Sequence, residues 1–495
     1  MQADLTLREI CRIVQGTMIG QGNVAIDSLV IDSRNMLPSS HAMFVALMGE
    51  RHDGHQYIEQ LYLQGVRAFL VAMPQDVTSF PGAGFCLVED SLAALQELAA
   101  ARRKAFHGLV AAITGSNGKT IVKEWIYQLL APSFSIHRSP KSFNSQVGVP
   151  LSVMMLEDTH QIGLFEAGIS LPGEMERLEK IISPEVGVFT NLGTAHQENF
   201  ESMEQKLREK LSLFKSCKRI IFRLNQGEDV LATDHFLKEF EGEKIGWSLD
   251  GDGLYSYRTM EVEANGRWME ATTPGGECRF WLPFSDEASI ENALHSLTFA
   301  LEAGVPEQVA AGRIGGLEPV SMRMEILQGI NGCMLINDAY NSDIGGLSAA
   351  LDLVDQQKQF DRRILILSDL FQSGLAEEEL YREISTLSET REISLFIGIG
   401  PAMIRQRNLF PESSLFYSDT EEFLKRMDRT RFREAMILIK GSRRFSFERV
   451  ASELQLKTHQ TMLEIDLDAM VSNLNHFRSL LNENVKIMVM VKALS

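Results

Sequence analysis

Apolar positions along this chain follow two rhythms, short unbroken runs and stripes spaced three or four residues apart. Their alternation outlines the fold. Over 1–107, "SLVIDSR", "AMFVALMG" and "VRAFLVA" predict short strands, "GHQYIEQLYLQG" a helix stopped at Gly65, and "SLAALQELAAARRKAF" a helix capped by Ser91. That is a small α/β domain. Over 108–318, the runs "GLVAAI", "IGLFEA", "EVGVFT" and "KRIIFRL" alternate with helical stripes, which predicts a largely parallel sheet. Period-two alternation in "GLYSYRTMEVEANGRWMEATT" adds an antiparallel appendage turning at Asn-Gly. A junction is expected at Glu318-Pro319. Over 319–457, "CMLIND", "RRILILSD", "ISLFIGIG" and "AMILIKGS" each precede a helical stretch, as in a second doubly wound unit. Residues 458–495 begin a further strand–helix–strand pattern.

Length and charge narrow the possibilities. A chain of 495 residues exceeds what one core supports, so several domains are expected. A net charge of −18 removes the diffuse basic field of a general nucleic-acid binder, so an anionic ligand must be held by local donors. The five cysteines show no CxxC pair and no metal-ligand spacing, and the N-terminal residues lack a signal-peptide core. No run reaches the roughly 20 apolar residues of a membrane span. The expectation is a reduced cytoplasmic protein without membrane insertion. Oligomeric state is not legible.

Chemistry concentrates first at Thr114-Gly115-Ser116-Asn117-Gly118-Lys119-Thr120, between a predicted strand and a helix with Val122, Trp125, Ile126, Leu129 and Leu130 on one face. Strict Walker A spacing would place glycine where Ile113 stands, so the turn is a compact variant. Glycines let backbone N–H groups face phosphates at a helix N-terminus. Lys119 is positioned to reach the β- and γ-phosphates, and the Thr120 hydroxyl to bind Mg²⁺. An ordinary βα turn is the competing reading, and the strand–loop–helix setting favours the phosphate.

"TGSNGKT" resembles the phosphate loop of the Mur ligase family, ATP-dependent enzymes that form amide bonds on a cell-wall precursor. Three further segments stand in that family's order: "FEAG" with Glu166, "TNLGTAHQENF" with His196, and "ESMEQKLREKLSLF" with Lys210. With Phe200 just before it, the last carries Met203, Leu207, Leu211 and Phe214 on one face, with Lys210 at its edge and like-charged Lys206 four residues before it. The resemblance implies a catalytic set of Lys119, Glu166, His196 and Lys210. It also implies two Mg²⁺ ions, one with Thr120 and Glu166, the other with His196 and a carbamylated Lys210, Glu166 being assignable to either. It further implies ATP contacts from Gly115, Ser116, Asn117, Gly118, Lys119, Thr120, Asn292, Arg323 and Asp338. Ala288 and Ser289 depart from the family's adenine-contacting pattern.

The first segment, Asp32-Ser33-Arg34 followed by "MFVALMGERHDGHQYI", resembles the uridine-nucleotide domain of the branches that add the third residue and the terminal dipeptide. The Asp-Asn-Pro-Arg motif of the third-residue adders is absent, and "LSDLFQSG" resembles the dipeptide-adding branch. The resemblance therefore implies UDP-MurNAc-tripeptide and D-Ala-D-Ala as substrates, contacted by Asp32, Ser33, Arg34, Asn144, Ser145, Asn341, Lys440 and Arg443. It implies an α/β fold of three domains: a small UDP-substrate domain (1–107), a central P-loop ATPase domain (108–318) and a C-terminal Rossmann-like domain (319–457). Whether the third peptide residue is diaminopimelate or lysine is left open. Residues 458–495, with "LEIDLDAMVSNL" and "MVMVKA", resemble the start of an alanine racemase β/α barrel, Lys492 standing at its pyridoxal-phosphate lysine. The expectation is a truncated barrel, with pyridoxal phosphate bound only in a full-length racemase domain. The alternatives are a third-residue-adding or folylpolyglutamate-type ligase, a nucleotide switch or kinase, and a scaffold.

Overall fold

The computed structural model describes residues 5–31, 41–49, 53–140, 142–193, 199–224, 238–249, 251, 253–263, 265–318, 320, 325–339, 344–356, 360–371 and 375–456, with isolated positions at 478, 481 and 485. The barrel-like start and Lys492 lie outside the described residues. The chain divides into two compact units, Met1–Arg102 with Thr458–Ser495, and Arg103–Lys457. Among the described residues no helix is long and apolar enough to cross a membrane.

In the first unit, β1 (Leu5–Thr6) pairs with β3 (Ala25–Ile26), and a five-stranded sheet runs β2 (Thr17–Gly20), β7 (Gly84–Leu87), β6 (Ala68–Val71), β5 (Ala42–Val45), β4 (Ser28–Val30). Only β2–β7 is antiparallel in that sheet. Helices α1 (Leu7–Ile13), α2 (Ile58–Leu63) and α3 (Ser91–Ala105) complete it. β5 and β6 are buried on both faces, which explains their unbroken apolar runs. One expectation fails here. Ser91 does not cap α3: the Asp90 carboxylate accepts from the N–H groups of Leu92 (2.7 Å) and Ala93 (3.2 Å), while the Ser91 hydroxyl donates to the Ala46 carbonyl at 2.7 Å. An ionised acceptor suits a helix N-terminus better than a hydroxyl does.

The second unit holds a nine-stranded and a six-stranded sheet. The first comprises β8 (Leu109–Thr114), β9 (Ile136–Arg138), β10 (Ile162–Glu166), β11 (Val186–Phe189), β12 (Arg219–Arg223), β13 (Glu243–Leu249), β14 (Tyr255–Glu263), β15 (Gly266–Thr273) and β16 (Gly276–Leu282). Their order is β16-β15-β14-β13-β12-β11-β8-β10-β9. From β9 across to β14 neighbours are parallel, and β14–β15–β16 form the antiparallel appendage. Its helices are α4 (Lys119–Leu130), α5 (Gly148–Met154), α6 (Glu174–Ile182), α7 (Met203–Leu211), α8 (Glu287–Glu302) and α9 (Glu307–Ile314). Val122, Trp125, Ile126, Leu129 and Leu130 of α4 are all buried in this core with Ile290, Ala293, Leu294 and Leu297 of α8. Trp125 stacks on Phe284 (4.6 Å) and donates from Nε1 to the Glu318 carbonyl at 2.8 Å.

The second sheet comprises β17 (Glu325–Gln328), β18 (Met334–Asp338), β19 (Arg362–Ser368), β20 (Leu395–Ile399), β21 (Leu415–Tyr417) and β22 (Ala435–Lys440), ordered β17-β18-β22-β19-β20-β21. It is parallel except at β17. Helices α10 (Ile344–Gln356), α11 (Glu377–Thr390), α12 (Pro401–Arg405), α13 (Thr420–Arg426) and α14 (Glu448–Leu454) accompany it.

Candidate functional site

Because β8 has β10 on one side and β11 on the other, the chain crosses in both directions from its carboxyl end. A crevice opens at such a switch point. Register sets three segments level there: Glu166 pairs with Ile113, and Phe189 with Thr114. The Gly115–Gly118 turn therefore leaves β8 directly beside the end of β10 and the Thr190–Gly193 segment.

The turn is locked from that segment. The Ser116 N–H donates to the Asn191 carbonyl (2.8 Å), the Asn117 N–H to Asn191 Oδ1 (3.0 Å), and Thr190 Oγ1 to the Asn117 carbonyl (2.6 Å). Two glycines make the approach possible. At Gly115 (φ +153°) a Cβ would lie 1.9 Å from Thr190 Oγ1, and at Gly118 (φ +81°) 2.2 Å from Asn292 Oδ1. Behind them, His295 of α8 joins Thr190 to the sheet: its Nε2 donates to the Thr190 carbonyl (3.1 Å), and its Nδ1 accepts from Trp247 Nε1 (3.1 Å).

Within this frame Glu166, 1% exposed, is held at both oxygens. Thr120 Oγ1 donates to Oε2 at 2.7 Å, and Asn144 Nδ2 to Oε1 at 2.7 Å. The Glu166 N–H donates to Ser139 Oγ (3.3 Å), whose own carbonyl accepts from buried Lys123 Nζ at 2.6 Å. Lys119 Nζ donates to the carbonyls of Gly115 and Ser116, both at 2.9 Å. Lys210 Nζ donates to that same Gly115 carbonyl at 3.0 Å. Lys119, Thr120, Glu166 and Lys210, predicted from segments far apart, thus meet around one turn.

Lys210 sits deeper than its expected place at the edge of α7's apolar face. It is 3% exposed and Lys206 1%, so neither is the solvated surface lysine that i,i+4 spacing alone would give. Burial first, then the charges of Lys119 and Lys206, drive the Lys210 amine well below the usual lysine range. That favours the neutral, nucleophilic form.

A hydroxyl and a buried carboxylate in contact at a helix N-terminus form an oxygen-donor set suited to Mg²⁺, which completes its shell with water and phosphate oxygens. Glu166's two oxygens already face donors, so a cation entering there would exchange partners rather than be added to an apolar wall. Among the described residues no group of three or more His, Cys, Asp or Glu side chains forms a metal cluster. Further donors for a second ion would come from His196, outside the described residues, and from a modified Lys210.

The remaining expected residues divide. Asn292 reaches Gly118. Ser145 Oγ accepts from the Gly148 N–H at 3.1 Å, at the start of α5. Asp338 and Lys440 form a buried ion pair across paired positions of β18 and β22, in the second sheet. Asp32, Ser33, Arg34, His196, Arg323 and Asn341 lie outside the described residues, and only the backbone of Arg443 is described. Sequence reasoning missed Ser139, Thr190, Asn191 and His295. Their partners lie 27 to 105 residues away; Thr190 and Asn191 open the segment "TNLGTAHQENF", in which the resemblance singles out only His196.

A family model described as the Mur ligase middle domain matches residues 113–300, and one described as the Mur ligase family, catalytic domain, matches 25–103. The UDP-N-acetylmuramoyl-tripeptide–D-alanyl-D-alanine ligase of Bacillus subtilis (strain 168) is 27% identical over 457 residues, which is 91% of this chain and 98% of that protein. The enzyme of that name from Escherichia coli (strain K12) is 25% identical, again covering 91% and 98%. A crystal structure of MurF from Acinetobacter baumannii superposes with a TM-score of 0.78 at 24% identity, covering 91% of this chain and 98% of that one. MurF ligase from Thermotoga maritima in complex with ADP gives 0.71 at 22%, covering 86% and 96%.

Proposed function

As a member of the Mur ligase family, this chain is, we propose, an ATP-dependent ligase that joins D-alanyl-D-alanine to UDP-N-acetylmuramoyl-tripeptide. The observation that carries the reading is the meeting of Lys119, Thr120, Glu166 and Lys210 around the Gly115 turn. The fold class of the MurF structures supports it. The three-domain division at 107, 318 and 457 belongs to the same proposal.

The tripeptide's terminal carboxylate attacks the γ-phosphorus of ATP, the bond to the β-phosphate oxygen breaks, and ADP leaves behind an acyl phosphate. The amine of D-Ala-D-Ala then adds to that carbonyl, and the tetrahedral intermediate expels phosphate as the amine loses a proton. Lys119 exchanges its two backbone carbonyls for phosphate oxygens and offsets the charge on the transferring group. Ser116 and Asn117 donate their own N–H groups to Asn191, which fixes the turn, so the N–H groups offered to the phosphates are those at the N-terminus of α4. Mg²⁺, held by Thr120 and Glu166 with His196 and a carbamylated Lys210 at a second position, would supply Lewis-acid neutralisation of the phosphates. Lys210 would receive CO₂ because burial and its cationic neighbours shift its amine toward the neutral form, and the resulting carbamate offers the oxygen ligands that an amine lacks. Residues 458–495 stay in this reading as the start of an alanine racemase, active only with the rest of that barrel.

The test is phosphate release from ATP with UDP-MurNAc-tripeptide and D-Ala-D-Ala, each omitted in turn. Turnover requiring both supports the reading. Turnover with a free amino acid or a folate in place of the dipeptide would assign a sister ligase, and turnover without an amine acceptor would overturn it. Lys210→Ala should abolish activity, with partial recovery in added short carboxylates; wild-type activity in that variant would refute the carbamate.

A further inference from the structure

Lys206 stands one helical turn before Lys210 on α7, and the proposed chemistry leaves it without a task. Its side chain is 1% exposed. Placing an ammonium there is costly unless close partners compensate, and a methionine would fill the same volume without that cost. A position that opposes stability in this way calls for a functional reason.

The contacts supply one. Lys206 Nζ donates to the Gly193 carbonyl. That carbonyl also accepts from Ser116 Oγ at 3.1 Å, and the Gly193 N–H donates back to Ser116 Oγ at 2.8 Å. Gly193 lies tight against the phosphate loop: a Cβ there would stand 3.3 Å from Ser116 Cβ and 3.5 Å from Asn117 Nδ2. One backbone residue is thus gripped from α7 by an ammonium and from the phosphate turn by a hydroxyl. The helix so held is the one that delivers Lys210 to the Gly115 carbonyl.

We propose that Lys206 is a positioning residue: it clasps α7 to the Gly193 segment and, through Ser116, to the phosphate turn, fixing Lys210 relative to the nucleotide. The proposal rests on the reading above, in which Lys210 serves the nucleotide's phosphates. It differs from a packing role because it couples Lys206 energetically to Ser116.

Lys206→Met keeps length and apolar volume and removes the donor. Calorimetry with MgADP should show affinity 10- to 100-fold weaker, the range typical of lost outer-shell partners, with a melting temperature unchanged or higher. In turnover, kcat should fall while KM for D-Ala-D-Ala stays within about twofold. Combining Lys206→Met with Ser116→Ala should weaken MgADP binding no further than the worse single variant, because both act through Gly193. MgADP affinity within twofold of wild type in Lys206→Met, or additive losses in the double variant, overturns the clasp. If Lys206→Met does not fold, Lys206→Gln carries the same cycle with the same criteria. A wild-type chain that binds MgADP but forms no amide would sink the ligase reading, while the binding cycle still decides the clasp.

Discussion

Asn144→Ala isolates the support of the buried carboxylate. Asn144 Nδ2 donates to Glu166 Oε1 at 2.7 Å while Thr120 holds Oε2, so truncation strips one oxygen of its Asn144 donor in a side chain that is 1% exposed. A hydrogen bond to a charged group is worth about 1.5–3 kcal/mol, and the buried acceptor left behind bears its desolvation cost. A loss of about 2 kcal/mol lowers the folded-to-unfolded ratio roughly 30-fold. All four tryptophans, Trp125, Trp247, Trp268 and Trp281, lie in the first sheet of the second unit or in α4 beside it, so fluorescence-monitored urea unfolding reports this region. Without nucleotide the variant should unfold at lower urea with an unchanged slope. With saturating MgADP the deficit should narrow, because a cation replaces the missing donor and its binding energy adds to the native state. Asn144→Asp should exaggerate both effects, since two carboxylates would face one another until a cation or proton intervenes. A deficit below about 0.5 kcal/mol, the scale of an inconsequential surface change, would refute the reasoning. So would a deficit that MgADP leaves untouched.

Other substitutions probe the frame. Gly118→Ala places a Cβ 2.2 Å from Asn292 Oδ1 at a φ of +81°; about 1–2 kcal/mol of left-handed strain plus displacement of Asn292 should raise KM for ATP, and Asn292→Ala should recover only the steric part. His295→Phe removes the Trp247 acceptor and the donor to Thr190, and should cost about 1–3 kcal/mol in urea unfolding together with weaker MgADP binding. His137, buried against Ser152 Oγ, is held down to about 4, chiefly by burial and then by His160. Between about 4 and the unfolded value near 6.5 the unfolded chain binds the extra proton, so stability rises with pH through that window and is lost on acidification. His137→Asn should flatten that slope by about 3 kcal/mol across the window, and an unchanged slope would assign it to other groups.

Several of these positions were readable in sequence only as types. "FEAG" marks Glu166 at a strand end, and "SFNSQVGVP" resembles the family stretch that would bring Asn144 near nucleotide and substrate. Neither reveals that the two side chains meet, because their contact depends on the pairing that sets β9 beside β10. Lys206 and Lys210 were legible as an i,i+4 pair, but helix periodicity cannot distinguish a solvated face from one pressed against a phosphate turn. Ser145 stood next to Asn144 in the same motif, yet its hydroxyl accepts from the backbone N–H of Gly148 at the start of α5. Adjacent residues on an irregular segment can point to unrelated tasks.

What the amino-acid order fixed by itself was local: the apolar runs of β8, β10, β11 and β12, the buried stripe of α4, and a glycine turn able to take left-handed angles. These follow from side-chain volume, polarity and backbone freedom within a few residues. What only the folded chain decided was which strand lies beside which, and therefore that Thr190, Ser139, Lys206 and His295 surround the turn. Each of those contacts joins residues far apart in sequence. Their free energy exists only after strand order has closed the intervening loops, and no short window of residues contains it.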